Sequence, residues 1–258
     1  GALQGMLLHH SCHPVCVFPD KVISGDWPGA WSAAMEADMA PGSAALVLNG
    51  CCGNLNPWSH YDPEFRCDHR VMGEALARAA RQALAAGEWR PGGVLAVETE
   101  HLALPYRQPE SGEIDAWLNC YREHPEVLWR DAETAVEIEW FLGASLTGLL
   151  QRIERDRTLD YEIQVLRIGD FVVAGWPGEP FVEAQLALKR RSPSALTLVA
   201  HCVNHYAGYL PTREAFQYPV GRRGHEANFS GWSNLTPDAL DRILETTLAM
   251  LQHRMAAA

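Results

Sequence analysis

The chain has 258 residues, 47% hydrophobic and 21% charged, with a formal net charge of −11. Those proportions belong to a globular chain and exclude a disordered tail, a collagen or a coiled coil. No apolar run reaches the roughly 18 residues that a transmembrane helix needs, and the acidic balance disfavours nucleic acid and anionic membrane surfaces as partners.

In chain order, Met6 to His10 is apolar and predicts a strand. Asp26-Trp-Pro-Gly opens a short helix over Trp31–Met39, and Ala44–Asn49 predicts a buried strand that runs into Gly50-Cys-Cys-Gly53. Met72, Leu76, Ala79 and Leu84 share one helical face, so Val71–Gly87 reads as a helix stopped by its glycine. Gly93–Leu104 alternates and predicts a long strand. Residues 112–155 are charged and helical in two or three pieces, broken near His124-Pro125. Tyr161–Ile168 and Phe171–Ala174 predict a hairpin turning at Gly169-Asp170. Pro180–Lys189 predicts a helix, Ala195–Ala200 a strand, and Pro237–Arg254 a closing helix with Thr236 as its N-cap. Interleaved strands and helices predict an α/β fold built as α+β layers. The 112–155 insert reads as a lobe of one domain spanning 1–258.

The seven cysteines form an odd set with neither a regular disulfide framework nor paired CxxC zinc spacing. That favours a reducing compartment, the cytoplasm, with secretion left open if the N-terminus is truncated. The first residues carry no initiator Met and no basic leader region. They read like the middle of a protein, so an upstream segment is one expected partner and a second copy of the chain another.

Four stretches carry chemistry. In Leu8-His-His-Ser-Cys-His13-Pro14 the proline holds His13 extended at a strand end, and three histidines in five residues point to a metal or catalytic role. Asp26 either caps the following helix or orients a catalytic histidine. Asn49-Gly-Cys-Cys-Gly53-Asn54-Leu-Asn56-Pro57 is a small-residue turn whose N–H groups suit an oxyanion, and Cys51 or Cys52 is a candidate nucleophile. Pro177-Gly-Glu179 and Asn204-His-Tyr206-Ala-Gly-Tyr209 each follow a predicted strand. Glu179 there is a ligand or a helix-start carboxylate, and the two tyrosines bind or simply pack.

Taken in order, these stretches resemble the neutral (alkaline, non-lysosomal) ceramidase family over about residues 5 to 230. His13-Pro14, Ser24-Gly-Asp26, Gly53-Asn-Leu-Asn-Pro57, Pro177-Gly-Glu179 and Asn204 to Glu214 are similar to that family's HP strand end, SDN-type turn, GDVSPN loop, PGE turn and NxYxxYxTTxEEY segment. The resemblance implies a mixed β-sheet core flanked by helices. It implies one Zn²⁺ held by two His, one Glu and one Tyr, of which His13, Glu179 and Tyr209 match three. The first family histidine lies in an upstream HTHSGP-like segment that has no counterpart here, and the family's C-terminal immunoglobulin-like domain is also absent. The serine nucleophile of GDVSPN corresponds to Asn56 and its Asp to Asn54. A later family tyrosine falls near His225, its stand-in.

The implied function is zinc-dependent hydrolysis of an amide, or an ester, in a small or lipid-like substrate. With Asn56 in place of serine, attack by metal-bound water is the simplest route. Asn56, Asp26 and His225 then form the catalytic set, and Gly53, Asn54 and Tyr206 the substrate and oxyanion set. Two other classes remain: a metal-free cysteine hydrolase using Cys51 or Cys52 with His13, and a non-catalytic relative.

Overall fold

A computed structural model describes residues 3–255 apart from 60, 63, 90 and 132–134. The chain opens with β1 (Gly5–His10), α1 (Asp26–Glu36), β2 (Ala44–Asn49) and α2 (His69–Ala86). β1 and β2 pair in parallel, Leu8 opposite Val47, with α1 as the crossover. Leu8, Ala45, Trp27, Trp31, Met35 and Ala77 are buried between this pair and the two helices. Asp68 starts α2 by accepting hydrogen bonds from Arg70 N (2.8 Å) and Val71 N (3.3 Å).

The main sheet follows. It contains β3 (Leu95–Pro105), and then come α3 (Asp115–Glu123), β4 (Trp129–Asp131), β5 (Ala135–Val136) and α4 (Ile138–Asp156). The chain continues with β6 (Thr158–Ile168), β7 (Phe171–Trp176), β8 (Glu179–Pro180), α5 (Val182–Arg191) and β9 (Leu196–His201). It closes with β10 (Tyr209–Leu210), a 3-10 turn at Arg213–Gln217 and α6 (Ala239–Met255). The sheet order is β3-β6-β7-β9, antiparallel except for the parallel β7–β9 pair that α5 crosses over. Tyr161, Ile163 and Val165 alternate inward along β6 and meet Trp176, Leu188, Ile243 and Leu244 in the largest core. Trp176 is fully buried, and its indole N–H donates to Thr247 Oγ1 at 3.0 Å.

The expected α/β class, with a mixed sheet flanked by helices, is what the chain forms. Three expectations change. The 112–155 insert is two helices with the short β4–β5 hairpin between them; α4 buries Leu146, Leu149 and Ile153 against Ile114 and Phe229. α6 begins at Ala239, so Thr236 stands before the cap position, where its carbonyl accepts from Ala239 N. Cys16 and Cys67, 51 residues apart, form a disulfide, which runs against a fully reduced set of cysteines.

Candidate active site

His13 lies in the loop that leaves β1. Its backbone N–H donates to Leu55 O (2.9 Å), and its Nδ1 lies 3.0 Å from the same carbonyl. That carbonyl accepts the Nδ1 proton and turns Nε2 towards Glu179, 2.7 Å from Oε2. Glu179 is set by the turn between β7 and β8. The Tyr161 hydroxyl, fully buried, pins this turn by donating to Pro177 O at 2.9 Å. Gly178 has φ +84°, and a side chain there would strike the Gly208 carbonyl. β8 and β10 pair in parallel with Tyr209 opposite Glu179, which brings the Tyr209 hydroxyl to 3.4 Å from His13 Nε2. Tyr206 donates from its hydroxyl to the other carboxylate oxygen, Glu179 Oε1, at 2.6 Å.

These groups tune one another. Burial works to lower the His13 pKa, but hydrogen bonds with Cys52 and Glu179 outweigh it and push the imidazole up to about 10. Burial raises Glu179, and the bonds from His13 and Tyr206 more than reverse that, leaving its carboxyl below the usual range. Both tyrosine hydroxyls are raised, first by burial and then by the Glu179 charge beside them.

A cleft of about 180 Å³ opens beside this cluster. His13, Gly53, Asn56, Tyr209, His225 and Glu226 line it, and Phe18 and Trp58 form an aromatic wall with ring centres 6.4 Å apart. Gly53 is buried and donates its N–H to Pro180 O (3.0 Å); a side chain there would collide with the Glu179 carbonyl. His225 is exposed on the rim, its ring edge-on to Tyr209 at 5.2 Å. Residues 218–233 carry His225 and Glu226 with only the single bridge Ser230–Ser233 as ordered pairing. Arg107 holds the segment. Its guanidinium lies 5.4 Å from the Phe216 ring centre and 5.0 Å from that of Phe229, and its Nη2 donates to Ala227 O at 2.9 Å.

Four expected site residues have other partners. Gly53 lines the cleft, but its N–H is engaged by Pro180 O and is not free for an oxyanion. Asn54 does not line the cleft: its Nδ2 donates to both Glu183 oxygens (3.0 and 2.9 Å) and its Oδ1 accepts from Val182 N (3.0 Å), so it caps α5. The Tyr206 hydroxyl is engaged with Glu179 rather than with an oxyanion position. Asp26 is buried and accepts from Val17 N (3.0 Å) and Trp27 N (2.7 Å), not from an imidazole. Its link to His13 is indirect, through Trp27 Nε1, which donates to His13 O at 3.2 Å.

Two features went unseen in the sequence reading. Glu226 lines the cleft beside His225. Cys52 lies with its Sγ 3.7 Å from His201 Nε2, a pairing of residues 149 apart that no local pattern marks. Hydrogen bonds from His13 and His201 hold the Cys52 thiol below its ordinary pKa against the opposing effect of burial. Cys51 is pushed well above its ordinary value by burial. Both thiols are fully buried, and neither lines the cleft.

Among the described residues no three His, Cys, Asp or Glu side chains meet in metal-binding geometry. The convergent set is two such side chains, His13 and Glu179, plus the phenol of Tyr209. Nδ1 is engaged by Leu55 O and Oε1 by Tyr206, while Nε2 and Oε2 bond each other at 2.7 Å, so a metal held by these two atoms would replace that hydrogen bond. Nitrogen, carboxylate and phenol oxygens in a three-residue set leave a position open, as catalytic zinc sites do.

No protein-family model and no curated protein matches the sequence. Solved structures match in shape. One, described as a ceramidase complexed with C2, superposes with a TM-score of 0.61 and 18% identity over 94% of this chain. Another, neutral ceramidase from Pseudomonas aeruginosa, gives 0.59 and 18% over the same share. The fold is that of the neutral ceramidases. The chain spans less than half of either neutral ceramidase structure, 44% and 42% of their lengths. Within this fold, His13 from the loop after β1 and Glu179 and Tyr209 from β8 and β10 lie up to 196 residues apart in sequence and meet at one point. No helix of the described residues is long and apolar enough to cross a membrane.

Proposed function

We propose that the chain is a hydrolase of amide bonds, with esters as close alternatives, in a small or lipid-like acyl substrate, and that it uses Zn²⁺. The observation that carries this reading is the meeting of His13 Nε2, Glu179 Oε2 and the Tyr209 hydroxyl beside one cleft. His13, Glu179 and Tyr209 would hold the metal, which when bound polarises a carbonyl and acidifies water. Leu55 O fixes the His13 tautomer, and Tyr206 orients the carboxylate. The amide of Asn56, exposed in the cleft, offers its Nδ2 donor to the reacting carbonyl oxygen and its Oδ1 acceptor to the attacking water. Phe18 and Trp58 give the acyl portion an apolar wall. His225 stands where it can exchange a proton with a leaving amine at the rim.

A cysteine hydrolase is the second reading, favoured by the Cys52–His201 pair and opposed by the complete burial of Cys52. Purified protein is assayed for bound zinc by mass spectrometry and for hydrolysis of N-acyl amides and esters. Activity lost on chelation, restored by zinc and resistant to thiol alkylation is the expected result. Activity that survives chelation and fails on alkylation overturns it in favour of Cys52; an intact fold with neither zinc nor turnover identifies a non-catalytic relative.

A further inference from the structure

The aromatic wall of the cleft stands on two loops. Residues 11–25 join β1 to α1 and carry Val15 and Phe18; residues 50–68 join β2 to α2 and carry Asn56 and Trp58. Connections of more than about 12–15 residues are uncommon unless they serve a site. Phe18 and Trp58 are 66% and 42% exposed, so the core does little to place them. Their position comes from each other, with ring centres 6.4 Å apart, and from the backbone beneath. Cys16 lies between Val15 and Phe18, and its disulfide partner Cys67 directly precedes Asp68, the N-cap of α2, with Cα atoms 4.9 Å apart. The crosslink thus fastens the Phe18 loop to a helix end. α2 is itself fixed against α1: Gly73 packs so closely on Ala30 that a side chain there would strike it. On its other side the loop is held by buried Asp26, which accepts from Val17 N at 3.0 Å. The reacting groups are anchored separately, His13 by Leu55 O and Glu179 by the β8–β10 ladder.

We propose that the Cys16–Cys67 disulfide is a specificity-determining element. By fixing Phe18, and through it Trp58, it keeps the wall assembled before substrate arrives, so that the cleft selects long acyl chains over short ones. An apolar chain gains free energy in proportion to the area it buries, so a chain that reaches past the reacting carbonyl gains from the wall and a short one does not. A wall already assembled gives that gain in full, whereas one ordered by the ligand loses part of it to immobilising two rings. The inference rests on the acyl-substrate reading above and adds to it the residues that set chain length.

The probe is decanoate, the acid that hydrolysis of a decanoyl amide releases, titrated by calorimetry into the native protein and its variants. The double variant Cys16→Ser/Cys67→Ser is expected to bind decanoate about tenfold more weakly, with zinc affinity unchanged. Phe18→Ala, at an exposed position, is expected to show a similar loss. Both changes act through one wall, so the triple variant is expected to be no weaker than Phe18→Ala alone. Amide hydrogen exchange in the double variant is expected to speed up in 14–24 and to stay unchanged in β2 and α2. Three results overturn the inference. One is decanoate affinity retained without the disulfide or without Phe18, the second of which decides even where the cysteine variant does not fold. Another is losses that add in full, and the third is exchange that rises through β2 and α2 alike, which marks a contribution to overall stability. Calorimetry needs no turnover, so decanoate binding without hydrolysis counts against the hydrolase reading and not against this one.

Discussion

Glu179 and Tyr209 face each other as register partners across the two-residue parallel ladder of β8 and β10. The ladder makes their spacing a backbone property. Glu179 N donates to Gly208 O (2.8 Å) and Phe181 N to Leu210 O (3.0 Å), so the two side chains leave from adjacent, hydrogen-bonded strands. Tyr206 then reaches Glu179 from the loop that precedes β10, and His13 closes the cluster from the loop after β1.

Tyr206→Phe tests the division of labour between the two tyrosines. It removes the bond that orients Glu179 Oε1 while leaving His13, Glu179 and Tyr209 in place. Zinc affinity, measured by competition with a chromophoric chelator, is expected to fall by about 10- to 100-fold. Because Tyr206 is more than half exposed, the urea midpoint stays within about 0.5 kcal/mol of the native protein. Unchanged zinc affinity would place Tyr206 outside the metal set.

Asn54→Ala separates helix capping from catalysis. The variant loses the bonds to Glu183 and Val182 N and leaves an orphan N–H at the start of α5. Urea unfolding is expected to show a loss of about 1–2 kcal/mol, with zinc content unchanged.

Asn56→Ala has the reverse profile. Asn56 is exposed in the cleft, so stability is kept. Loss of an oxyanion donor is expected to lower kcat by about 100- to 1,000-fold. Mass spectrometry of the native protein incubated with an N-acyl amide should show no acyl adduct; a trapped adduct would identify a side-chain nucleophile.

His9 gives the fold a dependence on acid. Burial, reinforced by the charge of Lys189, pushes its pKa down to about 4 from an ordinary 6.5. The unfolded chain therefore binds the proton more tightly than the folded one. The stability from neutral His9 is complete above pH 6.5 and drains away as pH falls towards 4. His9→Gln keeps a donor for Val199 O and removes the titration. Urea curves at pH 7 and 4.5 should show a smaller acid loss in the variant than in the native protein, and equal losses would refute the role of His9.

Much of the architecture was legible because periodicity survives burial on one side. β2 matches its apolar run, and α2 follows its 3.6-residue stripe to within two residues at its start and one at its end. The sequence pattern puts the start of α1 at Trp31, five residues late, because Asp26 enters the helix with φ +50°, a backbone choice that composition does not announce. The β4–β5 hairpin was missed because its three- and two-residue strands are too short and too exposed to carry a period. At the candidate site, His13, Glu179 and Tyr209 were found through the order of their motifs. The partners of Asn54, Tyr206 and Asp26 were not, because each is settled by which backbone or carboxylate happens to lie opposite in the folded chain. Cys52 and His201 belong to the same category: their encounter is created by the packing of β2's end against β9.

Arg107 carries one more consequence. Few ladder or helical hydrogen bonds order the rim segment that holds His225 and Glu226, and side chains tie it instead: Arg107 between two phenyl rings, Arg223 on Glu110, Glu113 on Phe229 N and Ser233 on Glu226 O. Arg107, rooted just past the end of β3 and far from the cleft in sequence, is thus one of the few side chains that restrict that rim. A change there would alter how fast the mouth of the site breathes before it altered anything inside it.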